Sequence, residues 1–244
     1  MNERHVFFAD VHLRKDQLAK RDALLGVLDE LARPGVHLYS LGDMFDVWVG
    51  PDHVRVEKEL APVLEAIGKF TASGARFTWF HGNRDFYMGR FLSQKMGAET
   101  VSESAVIELD GQRVYLNHGD LLCTGDQLYH VAKWFIRGPL IWSIYRTFPL
   151  SWKFGMVRAY KNLSQRQVPR RRKKRHGVNP DRVAALIAEG VDVIICGHIH
   201  EPRDDVIADG DRGCRLIVLP PWNENGTLTE YVDGDFVTRT VEFA

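Results

Sequence analysis

Five short motifs in this 244-residue chain each set an Asp, Asn or His just past an apolar run. They are Asp10-Val11-His12, Gly42-Asp43-Met44-Phe45-Asp46, Gly82-Asn83-Arg84-Asp85, Asn117-His118-Gly119-Asp120 and Gly197-His198-Ile199-His200. The runs before them, residues 6–9, 38–41, 77–80, 114–116 and 193–196, have the length and the β-branched or aromatic content of buried strands. Polar groups at the ends of separate strands converge at one edge of a sheet, where open α/β folds place their sites.

Helical patterns alternate with these strands. Residues 17–32 carry Leu24, Leu25, Leu28 and Leu31 at helical spacing and stop at Pro34-Gly35. Residues 56–70 repeat the pattern, and residues 86–96 form a third helix ended by Gly97. This alternation predicts an α/β layered core. Beyond Gly97, residues 106–109 and 113–116 flank an Asp110-Gly111 turn and read as a hairpin. After Pro202 further hairpins follow, with turns at Asp209-Gly210 and Asp233-Gly234. The expected architecture is two mixed sheets flanked by helices, built from residues 1–121 and 178–244.

Residues 122–177 interrupt this layout. They lack strand alternation and carry Trp134, Phe135, Trp142, Tyr145, Phe148, Trp152 and Phe154, followed by the basic run from Arg170 to Arg175. We read them as a helical cap standing over the strand edge that bears the motifs. The aromatics suit either packing of the cap on the core or a groove for acyl chains. The basic run suits either a solvated segment or an anionic membrane surface.

Composition narrows the class. An apolar content of 45% at this length can bury a substantial core. The 32 basic and 32 acidic residues balance, so no global signature of polyanion binding exists. Apolar and basic residues in the insertion are segregated rather than interleaved, which favours lipid over nucleic acid as a partner. Three scattered cysteines provide neither a disulfide framework nor a thiolate metal site. The apolar stretch before Asp10 is too short for a signal sequence, and no run reaches the roughly 18 residues of a spanning helix. A cytoplasmic protein is expected.

One motif of this kind is usually a turn; five in series, each after a strand, form a ligand set. Carboxylate, imidazole and amide oxygen together suit borderline-hard divalent cations. Two cations about 3.5–4 Å apart need a bridging carboxylate and can clamp the attacking and leaving oxygens of an in-line displacement. Asp43 is the expected bridge. Asp10, His12 and His200 would complete one site, and Asn83, His118 and His198 the other. The donor mixture favours Mn²⁺, Fe²⁺ or Zn²⁺ over Mg²⁺, with Mn²⁺ preferred. Asp46, Asp85 and Asp120 are expected to orient histidines.

The set resembles the calcineurin-like metallophosphoesterases, whose fold is such a sandwich. Many members have His after the Asn of the third motif, where it helps protonate a leaving alkoxide; this chain has Arg84. Arginine does not give up a proton near neutral pH but holds phosphate bidentately. Loss of the acid is tolerable when the leaving group is itself a phosphate, so the site suits a pyrophosphate linkage.

Longer stretches are more particular. Residues 8–13, Leu41-Gly42-Asp43-Met44-Phe45-Asp46-Val47-Trp48, His81-Gly82-Asn83-Arg84-Asp85-Phe86 and His118-Gly119-Asp120-Leu121-Leu122-Cys123-Thr124 resemble the UDP-2,3-diacylglucosamine pyrophosphatase family of lipid A biosynthesis. The resemblance implies hydrolysis at the phosphorus nearer uridine, giving UMP and a diacylated glucosamine 1-phosphate. It also implies two Mn²⁺ ions, a cap that receives acyl chains, and peripheral contact with the cytoplasmic face of the inner membrane. Catalytic roles would fall to Asp43, Asn83, Arg84 and His118. Substrate contacts would fall to Asn83, Arg84, Asp126, Tyr129, Ser164, Arg171 and His198. The chain departs from the family at Arg175-His176-Gly177-Val178 and at Glu201-Pro202, which leaves the metal set intact and bears on the lipid substrate. A soluble metallophosphoesterase acting on another nucleotide or phosphodiester remains the alternative, as does a non-catalytic scaffold, which would not need all seven ligands.

Overall fold

The computed structural model of the chain describes residues 3–83, 88–123, 143–145, 147–156, 178–210 and 212–243. Strands β1 (Arg4–Phe8), β2 (Val36–Ser40), β3 (Arg76–Phe80) and β4 (Glu99–Val101) run parallel as neighbours. The sheet continues antiparallel from β1 through β10 (Gly226–Val232) to β11 (Asp235–Val241). A second sheet contains β5 (Ser104–Leu109), β6 (Gln112–Asn117), β7 (Val193–Cys196), β8 (Arg203–Asp209) and β9 (Arg212–Val218). Its order is β5-β6-β7-β9-β8, with β6, β7 and β9 parallel. Both sheets are mixed, as the strand and hairpin patterns predict.

The strands that precede the motifs, β1, β2, β3, β6 and β7, are buried on both faces over most of their length, which explains their apolar runs. Phe7, Ala9, Tyr39, Leu41 and Phe80 pack against Val114, Leu116, Val193, Ile195 and Ile217 between the sheets. The opposite face of the first sheet, with Val6, Phe8, Leu38, Phe77 and Trp79, is covered by α1 (Leu18–Leu31), α2 (Ala61–Ala72) and α3 (Gly89–Met96). The second sheet packs Tyr115, Ile194, Cys196 and Leu216 against α4 (Pro180–Ala188). Each fully buried large apolar side chain stabilises these layers by roughly 1.5–3 kcal/mol.

Local chemistry sets the boundaries. Helix α2 starts five residues after the sequence pattern suggests, behind two short 3₁₀ turns, because Pro62 belongs in a first turn where no N–H is needed. Helix α4 and strand β4 lie outside the sequence expectations. Helix α4 is nevertheless well signalled: the Asn179 side chain accepts the Asp181 N–H at 3.0 Å, with Pro180 opening the first turn. The hairpin turns Asp110-Gly111 (φ 47° and 81°) and Asp233-Gly234 (φ 50° and 87°) are left-handed at both positions, as tight two-residue loops require.

The chain leaves the core and returns to it at one place. Cys123 and Val178 form an antiparallel bridge, and the Asn179 N–H donates to the Leu122 carbonyl at 2.7 Å. Within the intervening segment, the Tyr145 hydroxyl donates to the Val49 carbonyl at 3.2 Å. The Phe154 ring lies 5.1 Å from His53, itself stacked on Trp48. This part of the insertion packs on the loop that follows the Asp43 motif. Ile144, Trp152 and Met156 remain exposed, at 49%, 64% and 51%.

Candidate metal centre

The candidate ligands of all five motifs lie just past the carboxyl ends of strands. Asp10 and His12 follow β1, Asp43 follows β2, Asn83 follows β3, His118 follows β6, and His198 and His200 follow β7. Among the described residues, seven that are not glycine have positive φ, and five are candidate ligands: Asp10, His12, Asp43, His198 and His200. That region is disfavoured for residues with a Cβ, although Asp, Asn and His tolerate it best. Such backbone, held where ligand atoms converge, is typical of sites whose surroundings over-determine the geometry.

Glycines make the convergence possible. At Gly42 (φ 95°) a Cβ would lie 2.8 Å from the Gly82 Cα and 2.7 Å from His118 Nδ1. At Gly197 it would strike the Asp10 carboxylate, and at Gly119 the Gly197 carbonyl. The loops after β2 and β3, and those after β6 and β7, touch backbone to backbone.

Asp43 lies in the middle. Its Oδ1 accepts the Asn83 backbone N–H at 2.8 Å, while Oδ2 faces His118 Nε2 at 3.7 Å and His12 Nδ1 at 3.8 Å. Asp10 Oδ2 accepts the His198 N–H at 2.6 Å, and its Oδ1 faces His200 Nε2 at 3.4 Å and His12 Nε2 at 3.7 Å. The Asn83 amide meets His198 Nδ1 at 3.1 Å. His12 Nε2 and His200 Nε2 are 3.2 Å apart.

These residues fit divalent cations. Asp10, His12 and His200 each offer a ligand atom within 4.8 Å of the others, and so do Asp10, Asp43 and His118. Asp10 Oδ1 and His118 Nε2 are buried and make no hydrogen bond. The His118 Nδ1–H donates to the Leu41 carbonyl at 2.8 Å, which fixes the tautomer with its Nε2 lone pair on the Asp43 side. Orphaned polar atoms of this kind cost about 1–3 kcal/mol each unless another group satisfies them.

The electrostatics agree. Burial acts to raise the Asp10 carboxyl, yet the rings of His200, His118 and His12 hold it well below the usual carboxylate range. Burial lowers the His118 ring, but the Asp43, Asp10 and Asp120 carboxylates outweigh it and raise the pKa. His198 is pushed down to about 4, by burial first and then by His118. Asp10 and Asp120 pull in the opposite direction there, so Asp120 bears on both imidazoles.

One residue of this centre escapes the sequence analysis. The buried Lys20 Nζ donates to the Val11 carbonyl at 3.0 Å and to the Trp222 carbonyl at 2.5 Å. Since the Trp222 N–H donates to the Asp10 carbonyl at 3.2 Å, the lysine ties the Asp10–His12 loop to the loop before β10. A signal exists: Lys20 stands four residues before Leu24, on the buried face of α1 with Val27, Leu28 and Leu31.

All seven expected ligands come together from five strand ends. The Asp46 N–H donates to the Leu13 carbonyl at 3.1 Å beside them. Arg84, Asp85, Asp126, Tyr129, Ser164 and Arg171 lie outside the described residues.

A sandwich of two mixed sheets with this donor set is the arrangement of a phosphoesterase, and comparison with known proteins agrees. The profile of the calcineurin-like phosphoesterases matches residues 4–202, and the chain belongs to that family, whose members use divalent metal ions. It is 32% identical, over 98% of its own length and 96% of the relative, to the UDP-2,3-diacylglucosamine hydrolase of Pseudomonas savastanoi pv. phaseolicola. The hydrolase of the same name from Pseudomonas putida is also 32% identical, over 98% of this chain and 99% of that protein. At 31% identity, the Pseudomonas syringae pv. syringae protein of that name is matched over 96% of its length.

Proposed function

We propose that this chain hydrolyses the pyrophosphate bond of UDP-2,3-diacylglucosamine, giving UMP and 2,3-diacylglucosamine 1-phosphate. The observation that carries this reading is end-to-end similarity, over 98% of the chain, to relatives that bear the hydrolase name. Asp43 would be shared between two cation sites; Asp10, His12 and His200 would hold one cation, and Asn83, His118 and His198 the other. Bound divalent cations, Mn²⁺ by the donor mixture, would activate water and offset charge at phosphorus. The chain's own groups prepare that chemistry. Leu41 fixes the His118 tautomer, the His198 N–H orients the Asp10 carboxylate, and the Asn83 N–H orients Asp43. Arg84 follows Asn83 directly and would grip the phosphate bidentately.

The insertion, residues 122–177, is the cap. Its exposed Ile144, Trp152 and Met156 offer apolar area to acyl chains or to the bilayer surface, and the basic run from Arg170 to Arg175 suits anionic headgroups at roughly 1 kcal/mol per residue. On this reading the protein works at the cytoplasmic face of the inner membrane. Among the described residues no helix is long and apolar enough to cross a membrane. The test is product analysis with UDP-2,3-diacylglucosamine, with bis-p-nitrophenyl phosphate as a generic substrate beside it. UMP formed from the first substrate at a kcat/KM far above the second supports the assignment. Turnover of the generic ester alone overturns it.

A further inference from the structure

A second cluster of metal-ligating side chains lies at the opposite end of the first sheet. Strands β1 and β2 pair His5 with His37, and β2 and β3 pair His37 with Arg76. One step along, Tyr39 pairs with Thr78, and Thr78 with Glu99 on β4. Five residues of strand, about 17 Å, separate His5 from Asp10, so the cluster is distinct from the catalytic centre.

Its hydrogen bonds run in one direction. The Thr78 hydroxyl donates to Glu99 at 3.0 Å, so its oxygen must accept from His37 Nε2, 2.7 Å away. His37 thus keeps its proton on Nε2 and presents a lone pair at Nδ1. The Tyr39 hydroxyl donates to that Nδ1 at 2.8 Å, and its oxygen accepts from His5 Nδ1 at 3.1 Å. This leaves His5 with a lone pair at Nε2. Glu3 Oε2 lies 3.7 Å from His5 Nε2 and 3.6 Å from His37 Nδ1, and all three atoms fall within 4.8 Å of one another. Three electron-rich atoms therefore converge, and the protons that reach them come from the Tyr39 hydroxyl and the Arg76 guanidinium.

We propose that Glu3 Oε2, His5 Nε2 and His37 Nδ1 form a non-catalytic site for a divalent transition metal of the Zn²⁺ class, with water as the remaining ligand. Two imidazoles and a carboxylate are a zinc donor set, and bonds of about 2.0–2.1 Å at tetrahedral angles put ligand atoms about 3.3 Å apart. Glu3 Oε2 lies a few tenths of an ångström beyond that from each ring, and the two ring nitrogens lie within 4.8 Å of each other. The His37–Thr78–Glu99 chain acts as the outer support that fixes a ligating imidazole's tautomer. Burial, the largest influence on both rings, holds His5 and His37 below their ordinary pKa, so each is neutral at physiological pH.

Two contacts oppose the cation. The Tyr39–His37 hydrogen bond must yield, and the Arg76 guanidinium meets Glu3 Oε2 at 3.4 Å. Glu99 holds that guanidinium at 3.2 and 3.0 Å, so Arg76 keeps its principal partner when Glu3 turns to the metal. Glu3 and Glu99 outnumber the Arg76 guanidinium, and the Asp110 carboxylate also acts on His5, so the cation meets a net negative charge. Occupancy would fasten Glu3, just ahead of β1, to β2.

The experiment uses the untagged, full-length chain, stripped of metal and dialysed against Zn²⁺, with zinc per chain read by elemental analysis. Glu3→Gln and His5→Gln are each expected to bind one equivalent fewer than the parent and to show a smaller Zn²⁺-dependent rise in Tm. Both should keep hydrolysis supported by Mn²⁺, which also shows that they are folded. Glu3→Gln, changed at a partly exposed position ahead of the first strand, decides the question alone if His5→Gln fails to fold. Equal zinc content in the parent and the folded variants overturns the proposal and leaves a Glu3–Arg76 ion pair only.

Discussion

Asp43 accepts a left-handed backbone, φ 54°, to place one carboxylate oxygen between His12 and His118. Asp43→Ala removes the atom that both proposed cation sites share. Turnover should fall below detection and at least one metal equivalent should be lost, as elemental analysis can check. Retention of both metals at a near-normal rate would end the two-cation assignment. Lys20 gives a milder test, since Lys20→Met keeps the apolar stem but strands the Val11 and Trp222 carbonyls. Urea denaturation should show a loss of about 1–3 kcal/mol, and kcat/KM should drop with it because the Asp10–His12 loop loosens. The ligands themselves were legible because chemistry-bearing residue types follow apolar runs. Lys20 was missed although it lies on the apolar face of α1, because its role is set by partner carbonyls 9 and 202 residues away. The positive φ of the ligand residues is equally invisible, because nothing in the sequence shows the close approach of the loops at Gly42, Gly119 and Gly197.

Among elements, the strands before the motifs were the most legible, since burial on both faces writes them as apolar runs. Strand β4, three residues long and partly exposed, carries no such run and follows Gly97 too closely to stand out. Residues 122–177 read as an insertion because they lack strand alternation, and composition cannot separate the two roles their aromatics could take. Tyr145 and Phe154 face the core loop around Val49 and His53, whereas Ile144, Trp152 and Met156 do not pack away. If those exposed groups serve acyl chains, remote binding energy will position the reacting phosphorus. UDP-diacylglucosamine should then exceed UDP-N-acetylglucosamine in kcat/KM, with at most about 0.8 kcal/mol gained per buried methylene. Equal values in detergent with Mn²⁺ would favour a soluble nucleotide substrate. Label from water enriched in ¹⁸O should appear in UMP; label confined to the lipid phosphate would reverse the attacking and leaving groups.

At the scale of the whole molecule, charge ties distant segments together. Glu230 on β10 accepts from Arg4 at 2.9 and 2.5 Å and from Arg239 at 2.7 Å, and Arg239 reaches Glu30 on α1 at 2.8 and 3.0 Å. Burial raises the Glu230 carboxyl, but the two guanidiniums outweigh it and depress the pKa. A depressed carboxyl adds stability above its unfolded value, about 4.3, and that stability disappears as pH falls through the folded value. In metal-free protein, Glu230→Gln should therefore cost stability at neutral pH and flatten the acid limb of the stability curve. Urea midpoints measured from pH 7 down to 3 would show it, and parallel curves for parent and variant would refute it.

The proposed cations would draw on both sheets at once: Asp10, His12, Asp43 and Asn83 leave the first, and His118, His198 and His200 the second. A ligand bound only when two halves are docked gives its binding free energy to the docking itself. Metal-loaded protein should then lose the partial openings in which one sheet breathes while the other stays closed. Amide exchange in β2 and in β7, slow to different degrees without metal, should converge on one common opening rate once metal is added.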